Sequence, residues 1–318
     1  MFSRLGRGVL IAAVCVASQN LGASPMANDA DCSHLVVNHT YANAFNGFLN
    51  VPAYFASLGV PVPPGIGLVP NGGAGMMTFL PGGKVVNTET LVIGLLGVSK
   101  DLLITGTYSL TWDTSKRPVV CSGSLTASSG TGAAYHFDLV VSEGGQRVNM
   151  VHTDTGLTVA IAMFPMDTRG CRNETIAGLY SFETPGWFLA PQGAFPPEQL
   201  LAGYGPTGFS GAVRYRPFVG PSGFSDAPAG AGSFEEFVTI SENGQIVKRA
   251  STGWYKVNRD CTGVMTMRDS GGGPDLHVEL FVGHNGRAVF MTPTDTVTVN
   301  GMTLPVVLAG IVETRMEE

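Results

Sequence analysis

Two pairs of side chains have the types and spacing for acid–base chemistry. His136 and Asp138 lie two residues apart, and so do His277 and Glu279. Residues two apart on a strand share a face, so each pair would set an imidazole beside a carboxylate, an arrangement that moves protons when buried. The alternate positions, however, are Tyr135, Phe137, Leu139 and Val141 in one stretch and Leu276, Val278, Leu280 and Val282 in the other. Those are core rows, which puts the His–carboxylate pairs on the solvent side. Asp154 and Asp295, each flanked by threonines, read as turn carboxylates that accept backbone N–H bonds. Gly208-Phe209-Ser210-Gly211 falls short of a nucleophile elbow. The chain carries no His-Glu-x-x-His, phosphate-binding glycine loop, calcium loop or Cys-x-x-Cys. No catalytic residue, metal or cofactor is therefore assigned from sequence.

The elements that would position these residues are repeated. Residues 139–156 laid over 280–297 match at eight of eighteen positions, Thr153-Asp154-Thr155 over Thr294-Asp295-Thr296 among them. Cys32 falls on Cys171, Cys121 on Cys261, Tyr41 on Tyr180 and Gly47 on Gly186 at nearly the same offset. Gly106-Thr107-Tyr108 corresponds to Gly253-Trp254-Tyr255. The mature chain is thus two copies of a unit of about 140 residues, copy one over 24–168 and copy two over 169–318.

Each copy shows period-2 strands with turns between them, and His284-Asn285-Gly286 contains the Asn-Gly of a tight hairpin. Further strands are expected at Gly75–Phe79, Leu102–Trp112, Val119–Ala127, Phe234–Ser241, Ile246–Val257 and Cys261–Arg268. Six to eight antiparallel strands per copy suit a small barrel, which has no exposed edge. The fold class is all-β, two tandem antiparallel lipocalin-like barrels, with a β-sandwich as the alternative. Charged residues are only 13% of the chain against 43 glycines and 20 prolines, which fits short strands and many turns.

Residues 1–23 have the pattern of a signal peptide: Arg4 and Arg7, an apolar run from Val9 to Ala17, then Leu21-Gly22-Ala23. The protein is expected to be exported, periplasmic or extracellular, without an integral membrane span. Net charge is −6 and no Lys/Arg cluster exists, so nucleic acid is an unsuitable partner. Four cysteines remain after the leader, an even number in an exported chain. Pairing Cys32 with Cys121 and Cys171 with Cys261 gives both copies the same bond; free thiols or an inter-copy pairing are the alternatives.

Each copy also has a Pro/Gly/aromatic loop after its first strand, residues 50–73 and 189–211, with a helical start possible at Pro196–Leu201. The loops are expected either to cover a barrel mouth or to plug it. Tyr54, Phe55 and Phe195 are the aromatic candidates for contact with a ligand.

Asn258-Arg259-Asp260-Cys261-Thr262-Gly263 after Gly253-Trp254-Tyr255, with Thr294-Asp295 further on, resembles uncharacterised exported bacterial proteins. Their repeats carry Gly-x-Tyr…Asp-Cys-Thr-Gly and are thought to form lipocalin-like or allene-oxide-cyclase-like barrels. Copy one departs from the pattern, with Val120-Cys121-Ser122-Gly123 in its place. The resemblance implies a barrel and transfers no catalytic residue. The leading expectation is a non-enzymatic protein holding a small apolar ligand or a protein partner. A cofactor-free cyclase or isomerase of the allene-oxide-cyclase type is the second, and a structural or adhesive surface protein the third.

Overall fold

The computed structural model describes residues 31–57, 59, 67–94, 97–115, 119–129, 134–166, 170–189, 204–219, 223–242, 245–299 and 302–316. Two closed antiparallel barrels of eight strands follow one another. Barrel 1 runs β1 (Thr40–Asn50), α1 (Val51–Ser57), β2 (Leu68–Leu80), β3 (Lys84–Ile93), β4 (Gly97–Asp113), β5 (Val120–Ser128), β6 (Ala134–Ser142), β7 (Arg147–His152) and β8 (Leu157–Pro165). Each strand pairs with the next, and β8 returns to β1 through nine residue pairs from Tyr41–Pro165 to Leu49–Leu157.

Barrel 2 comprises β9 (Gly178–Leu189), β10 (Tyr204–Arg216), β11 (Gly232–Glu242), β12 (Gln245–Val257), β13 (Thr262–Asp269), β14 (Leu276–Gly283) and β15 (Ala288–Pro293). The chain then makes a side hairpin, β16 (Thr296–Val299) with β17 (Met302–Pro305), and a short β18 (Val307–Leu308). The last strand, β19 (Ile311–Arg315), pairs with both β15 and β9 and closes the ring. Closure decides against the sandwich. No helix of the described residues is long and apolar enough to cross a membrane.

The alternation in the sequence sets the inner faces. Leu139 and Val141 are fully buried in barrel 1, as are Val278, Leu280 and Val282 in barrel 2. One end of each barrel is stoppered by the same device. A 3₁₀ turn, Ser33–Leu35 or Asn173–Ile176, crosses the opening before the first strand. Disulfides Cys32–Cys121 and Cys171–Cys261 bind these stoppers to the barrel wall. The first-strand tyrosine completes it: Tyr41 Oη donates to the carbonyl of Gly145 at 2.7 Å, and Tyr180 Oη to that of Gly286. Both glycines have positive φ, and a Cβ there would lie about 2 Å from the stopper's backbone, 2.1 Å from Leu35 O and 2.0 Å from Thr175 O.

The two loops are shorter than the sequence suggests. Residues 50–57 finish β1 and form α1, and β2 begins at Leu68, far earlier than Gly75. In copy two, β10 already begins at Tyr204. The polar and glycine residues at the starts of these strands hid them, because they face a lumen or a close backbone and show no apolar alternation. The expected helical turn at Pro196–Leu201 lies outside the described residues.

The barrels touch through small residues. Ala42, Ala44 and Ala74 on the outside of β1 and β2 are buried against Phe281, Ala288 and Phe290. Gly310, between β18 and β19, presses on the same wall, where an added Cβ would be 2.3 Å from Phe45 O. Asn46 clamps it: its Nδ2 donates to Gly310 O at 2.7 Å and its Oδ1 accepts from Gly310 N at 2.7 Å. Asn46→Ala leaves the buried Gly310 amide without this partner, while the carbonyl keeps the bond from Thr184 Oγ1 at 3.0 Å, a change expected to cost ~1–3 kcal/mol. A lowered denaturant midpoint at unchanged slope would register it, and an unchanged midpoint would show that the barrels hold together without the clamp.

Candidate functional site

The lumen of barrel 1 is not filled to its end. Beyond the stopper, Tyr41, Phe79 and Tyr108 stack edge to face and occupy the first half. The other half contains a cavity of about 270 Å³. Its wall is mostly apolar, with Phe45, Leu49, Met77, Ile104, Phe137, Met150 and Ile161 contributing. Besides the half-buried Tyr135, four buried polar side chains interrupt that wall: Asn71, Asn87, Glu89 and His152. None is more than 8% exposed.

Glu89 and Asn87 come from β3, two residues apart and both inward. Asn87 Nδ2 donates to Glu89 Oε2 at 2.7 Å. Gly75 lies opposite Glu89 on β2, and a Cβ there would stand 2.6 Å from Glu89 Cβ, so glycine makes the room this carboxylate needs. On the other flank β3 and β4 are out of step. Thr90 alone spans the interval that Lys100 and Asp101 span on β4, and Asp101 takes φ of 52°. This bulge turns Lys100 outward, where it meets Glu279 of barrel 2 at 3.2 Å. Thr90 Oγ1 donates to the same Glu279 carboxylate.

Burial pushes the Glu89 carboxyl up to about 7 against the opposing bond from Asn87. No lysine or arginine offsets its charge among the described residues.

His152 projects from β7, four strands from β3 in the eight-strand ring and so on the opposite wall. Its ring lies edge-on to Phe137 at 4.7 Å. Nδ1 accepts the Asp154 backbone N–H at 3.2 Å, which places the proton of the neutral ring on Nε2. Nε2 is 3.4 Å from Asp154 Oδ2 but is not directed at it, and has no hydrogen-bond partner among the described residues. Burial holds the imidazole below its usual pKa, Asp154 opposing and His136 adding to the shift. Asn71 Oδ1 and Asn87 Oδ1 are likewise buried without a partner among those residues. Buried polar atoms of this kind are satisfied by whatever molecule occupies the lumen, water or ligand.

The repeat supplies an internal comparison. Gly106 and Gly253 match, and pair with Val85 and Phe234 respectively. Asn87 therefore corresponds to Glu236, and Glu89 to Val238. The alignment that joins the two Thr-Asp-Thr segments sets His152 over Pro293. Pairing of Tyr41 with Met77 and of Tyr180 with Val213 sets Gly73 over Phe209. Phe182, Val238 and Ile240 form a cluster with Phe209 in barrel 2. Aromatic and aliphatic side chains thus replace the glycine and the acid of barrel 1. Barrel 2 keeps two inward acids of its own. Tyr215 Oη donates to Glu313 Oε2 at 2.7 Å, and burial raises Glu313 to about 8 and Glu236 to about 7.

The pairs that opened the sequence analysis have other partners. His136 Nδ1 is 2.6 Å from Asp154 Oδ1 rather than bound to Asp138, and its N–H donates to Asp154 Oδ2 at 2.7 Å. His277 makes the same two bonds to Asp295. Both aspartates thus tie two strand ends together and accept backbone N–H, and both histidines remain half exposed. Glu279 has left the surface for the inter-barrel contact. Tyr54 and Phe55 belong to α1, whose first residue, Val51, is buried with Leu49 and Val69 against the cavity-lining Ile93 and Leu157. Phe195 lies outside the described residues.

A larger and more open groove of about 650 Å³ runs between the barrels past Phe48 and Trp187, but no ionisable side chain among the described residues lines it. No family model and no curated protein sequence matches the chain significantly.

The titrations have a definite sign. Glu89, Glu236 and Glu313 bind protons more tightly folded than unfolded, so their contribution to stability is complete below about 4.5 and is lost as pH rises through 7 to 8. His152, held low, contributes oppositely, losing stability below about 6.5. Between pH 6.5 and 8 the protein should therefore melt at progressively lower temperature. Glu89→Gln should match the wild type at pH 5 and exceed it at pH 8, by ~3 kcal/mol at most at ~1.4 kcal/mol per pKa unit. Parallel melting curves for the two proteins across that range would show that Glu89 is not buried as described.

Proposed function

We propose that barrel 1 binds a small, mainly apolar ligand bearing one polar group, and that barrel 2 is its structural support. The observation that carries this reading is the chamber itself. It is an apolar hollow in which four buried polar side chains keep unsatisfied or ionisable atoms at large cost. Cores without function close such hollows with hydrocarbon, and the equivalent positions of barrel 2 carry Val238 and Phe209 in a hydrophobic cluster. At about 270 Å³ the chamber has nearly twice the ~150 Å³ of an engineered cavity that takes benzene. Tyr54 and Phe55, which belong to α1, are the loop aromatics proposed to meet the ligand; Phe195, of copy two, is not among them.

Export to the periplasm or the outside is part of the same proposal. Two disulfides and the leader-like pattern of residues 1–23 support it, since disulfides persist in oxidising compartments. So does the resemblance of the Gly-Trp-Tyr…Asp-Cys-Thr-Gly segment to exported lipocalin-like proteins.

A second reading, a cyclase or isomerase, draws on one feature. A carboxyl group that titrates near 7 and an uncharged imidazole face one apolar chamber from opposite walls, which suits proton transfer across a bound substrate. Native mass spectrometry of the secreted protein separates the two: a co-purifying small molecule released unchanged supports the carrier, and one returned altered on incubation supports the enzyme.

Placement of the ligand is tested by filling the chamber. Ile104→Trp should weaken binding of the neutral fluorescent probe N-phenyl-1-naphthylamine by ~10-fold or more, equivalent to ~1.4 kcal/mol. Ala127→Leu, a smaller insertion deeper in the wall, should act in the same direction with a milder loss of stability. Wild-type affinity in both variants would reject the lumen as the site.

A further inference from the structure

We propose that the ligand of barrel 1 is a small apolar amine, bound as its ammonium ion with the charged nitrogen on Glu89 and Asn87 and the hydrocarbon body in the chamber. This inference rests on the lumen-binding reading and adds the ligand's chemistry.

The first argument is charge. Among the described residues Glu89 is the one acid that lines the chamber, and its carboxylate has a single hydrogen-bond donor, Asn87 Nδ2. Lys84, the nearest basic residue in sequence, is exposed at the start of β3, and Lys100 is turned out of the lumen by the β4 bulge and pairs with Glu279. A buried carboxylate without a cation is costly, and a ligand that brings the cation removes that cost.

The second argument is hydrogen-bond type. Once Glu89 is ionised, above about pH 7, it and the unpartnered Oδ1 of Asn87, two residues apart on one strand, are both acceptors. A hydroxyl offers one proton and can satisfy one of them; an ammonium offers three and satisfies both. Asn71 Oδ1, further along β2, is another acceptor, and His152 Nε2–H on the far wall is the unpaired donor of the set. The third argument is the surroundings of the carboxylate. Gly75 faces Glu89, and the Phe45 ring lies over Gly73, the next inward position on β2. The Phe45 ring therefore sits one step from the acid and lines the same chamber, so the hydrocarbon body of the ligand has apolar contact beside its charged end.

The titratable groups facing the lumen are Glu89 on β3, His152 on β7 and Tyr135 on β6. Below about 7 Glu89 takes up a proton, which must leave when an ammonium binds, so amine affinity falls with acidification. Protonation of His152 at lower pH acts in the same direction, and the Glu89→Gln variant separates the two.

The experiment is displacement of N-phenyl-1-naphthylamine by 4-phenylbutylamine and by its isostere 4-phenylbutan-1-ol, using the full secreted chain. At pH 8 the amine should displace the probe at a concentration ~10-fold or more below the alcohol, the advantage expected of a charge-assisted bond. That advantage should disappear in Glu89→Gln and shrink at pH 5.5, while the alcohol's affinity changes little in either. The pH series on the wild type keeps the test open should Glu89→Gln fail to fold. An alcohol that binds as well as the amine, or an amine preference that survives in Glu89→Gln, overturns the ammonium assignment and leaves the lumen reading intact. Failure of the wild type to bind the probe, or undiminished probe binding in Ile104→Trp, overturns the lumen reading and the assignment with it.

Discussion

An eight-stranded barrel has a nearly fixed internal width, and everything else in this protein follows from what fills it. At that strand number the interior just accommodates side chains, so an unfilled stretch has to be made by small or polar residues on the inner face. Barrel 1 makes one. Gly73 and Gly75 on β2 withdraw two side chains from the wall, and Glu89 and Asn87 on β3 occupy part of the space with groups that cannot pack as hydrocarbon. The stoppered end shows the opposite solution, where Tyr41, Phe79 and Tyr108 leave no room.

Duplication separates the two requirements. Both copies keep the parts that hold a barrel together: the disulfide, the tyrosine-to-glycine bond, the stopper and the His–Asp tie at the opposite strand ends. They differ in the half of the lumen that does no structural work. Val238 replaces the acid and Phe209 the glycine, and Pro293, which has neither a side-chain nor a backbone N–H donor, replaces His152. Where the same positions carry a polar-lined chamber in one copy and a hydrophobic cluster in the other, on the same scaffold, architecture alone does not account for the chamber.

Much of the scaffold was legible in the sequence for a simple reason. Strands such as Tyr135–Val141 have water on one side and core on the other, so their alternation is clean. Leu276–Val282 keeps an equally clear core row although Phe281 on its outer face packs on barrel 1, and the repeat-preserving cysteine pairing follows once the repeat is seen. Strand β3 was missed because both of its faces break the rule. Its inner face carries Asn87 and Glu89, and its outer face carries Val86 and Val92, the latter completely buried against Tyr204 of barrel 2. The site was therefore illegible for the same reason that it is a site. One signal was available in the repeat, where His152 falls over Pro293 directly before the matching Thr153-Asp154-Thr155 and Thr294-Asp295-Thr296. Tyr54, Phe55 and Phe195 drew notice as loop aromatics, whereas the polar residues that distinguish the chamber are on strands.

Support from the second copy reaches the chamber directly. The wall that bears Glu89 is buried on its outer side, where Ala74 packs on Phe281 and Phe290 and Val92 on Tyr204. Thr90, the residue after Glu89, is held by the Glu279 carboxylate of barrel 2, which also fixes Lys100 at the bulge. A lone barrel would expose this strand to water on its outer face and leave the bulge free to relax. With barrel 2 in place, the carboxylate keeps its position and its dry surroundings, and both are needed to hold its pKa near neutrality. The second copy thus contributes to the site from outside the chamber: it keeps the wall of the first copy rigid.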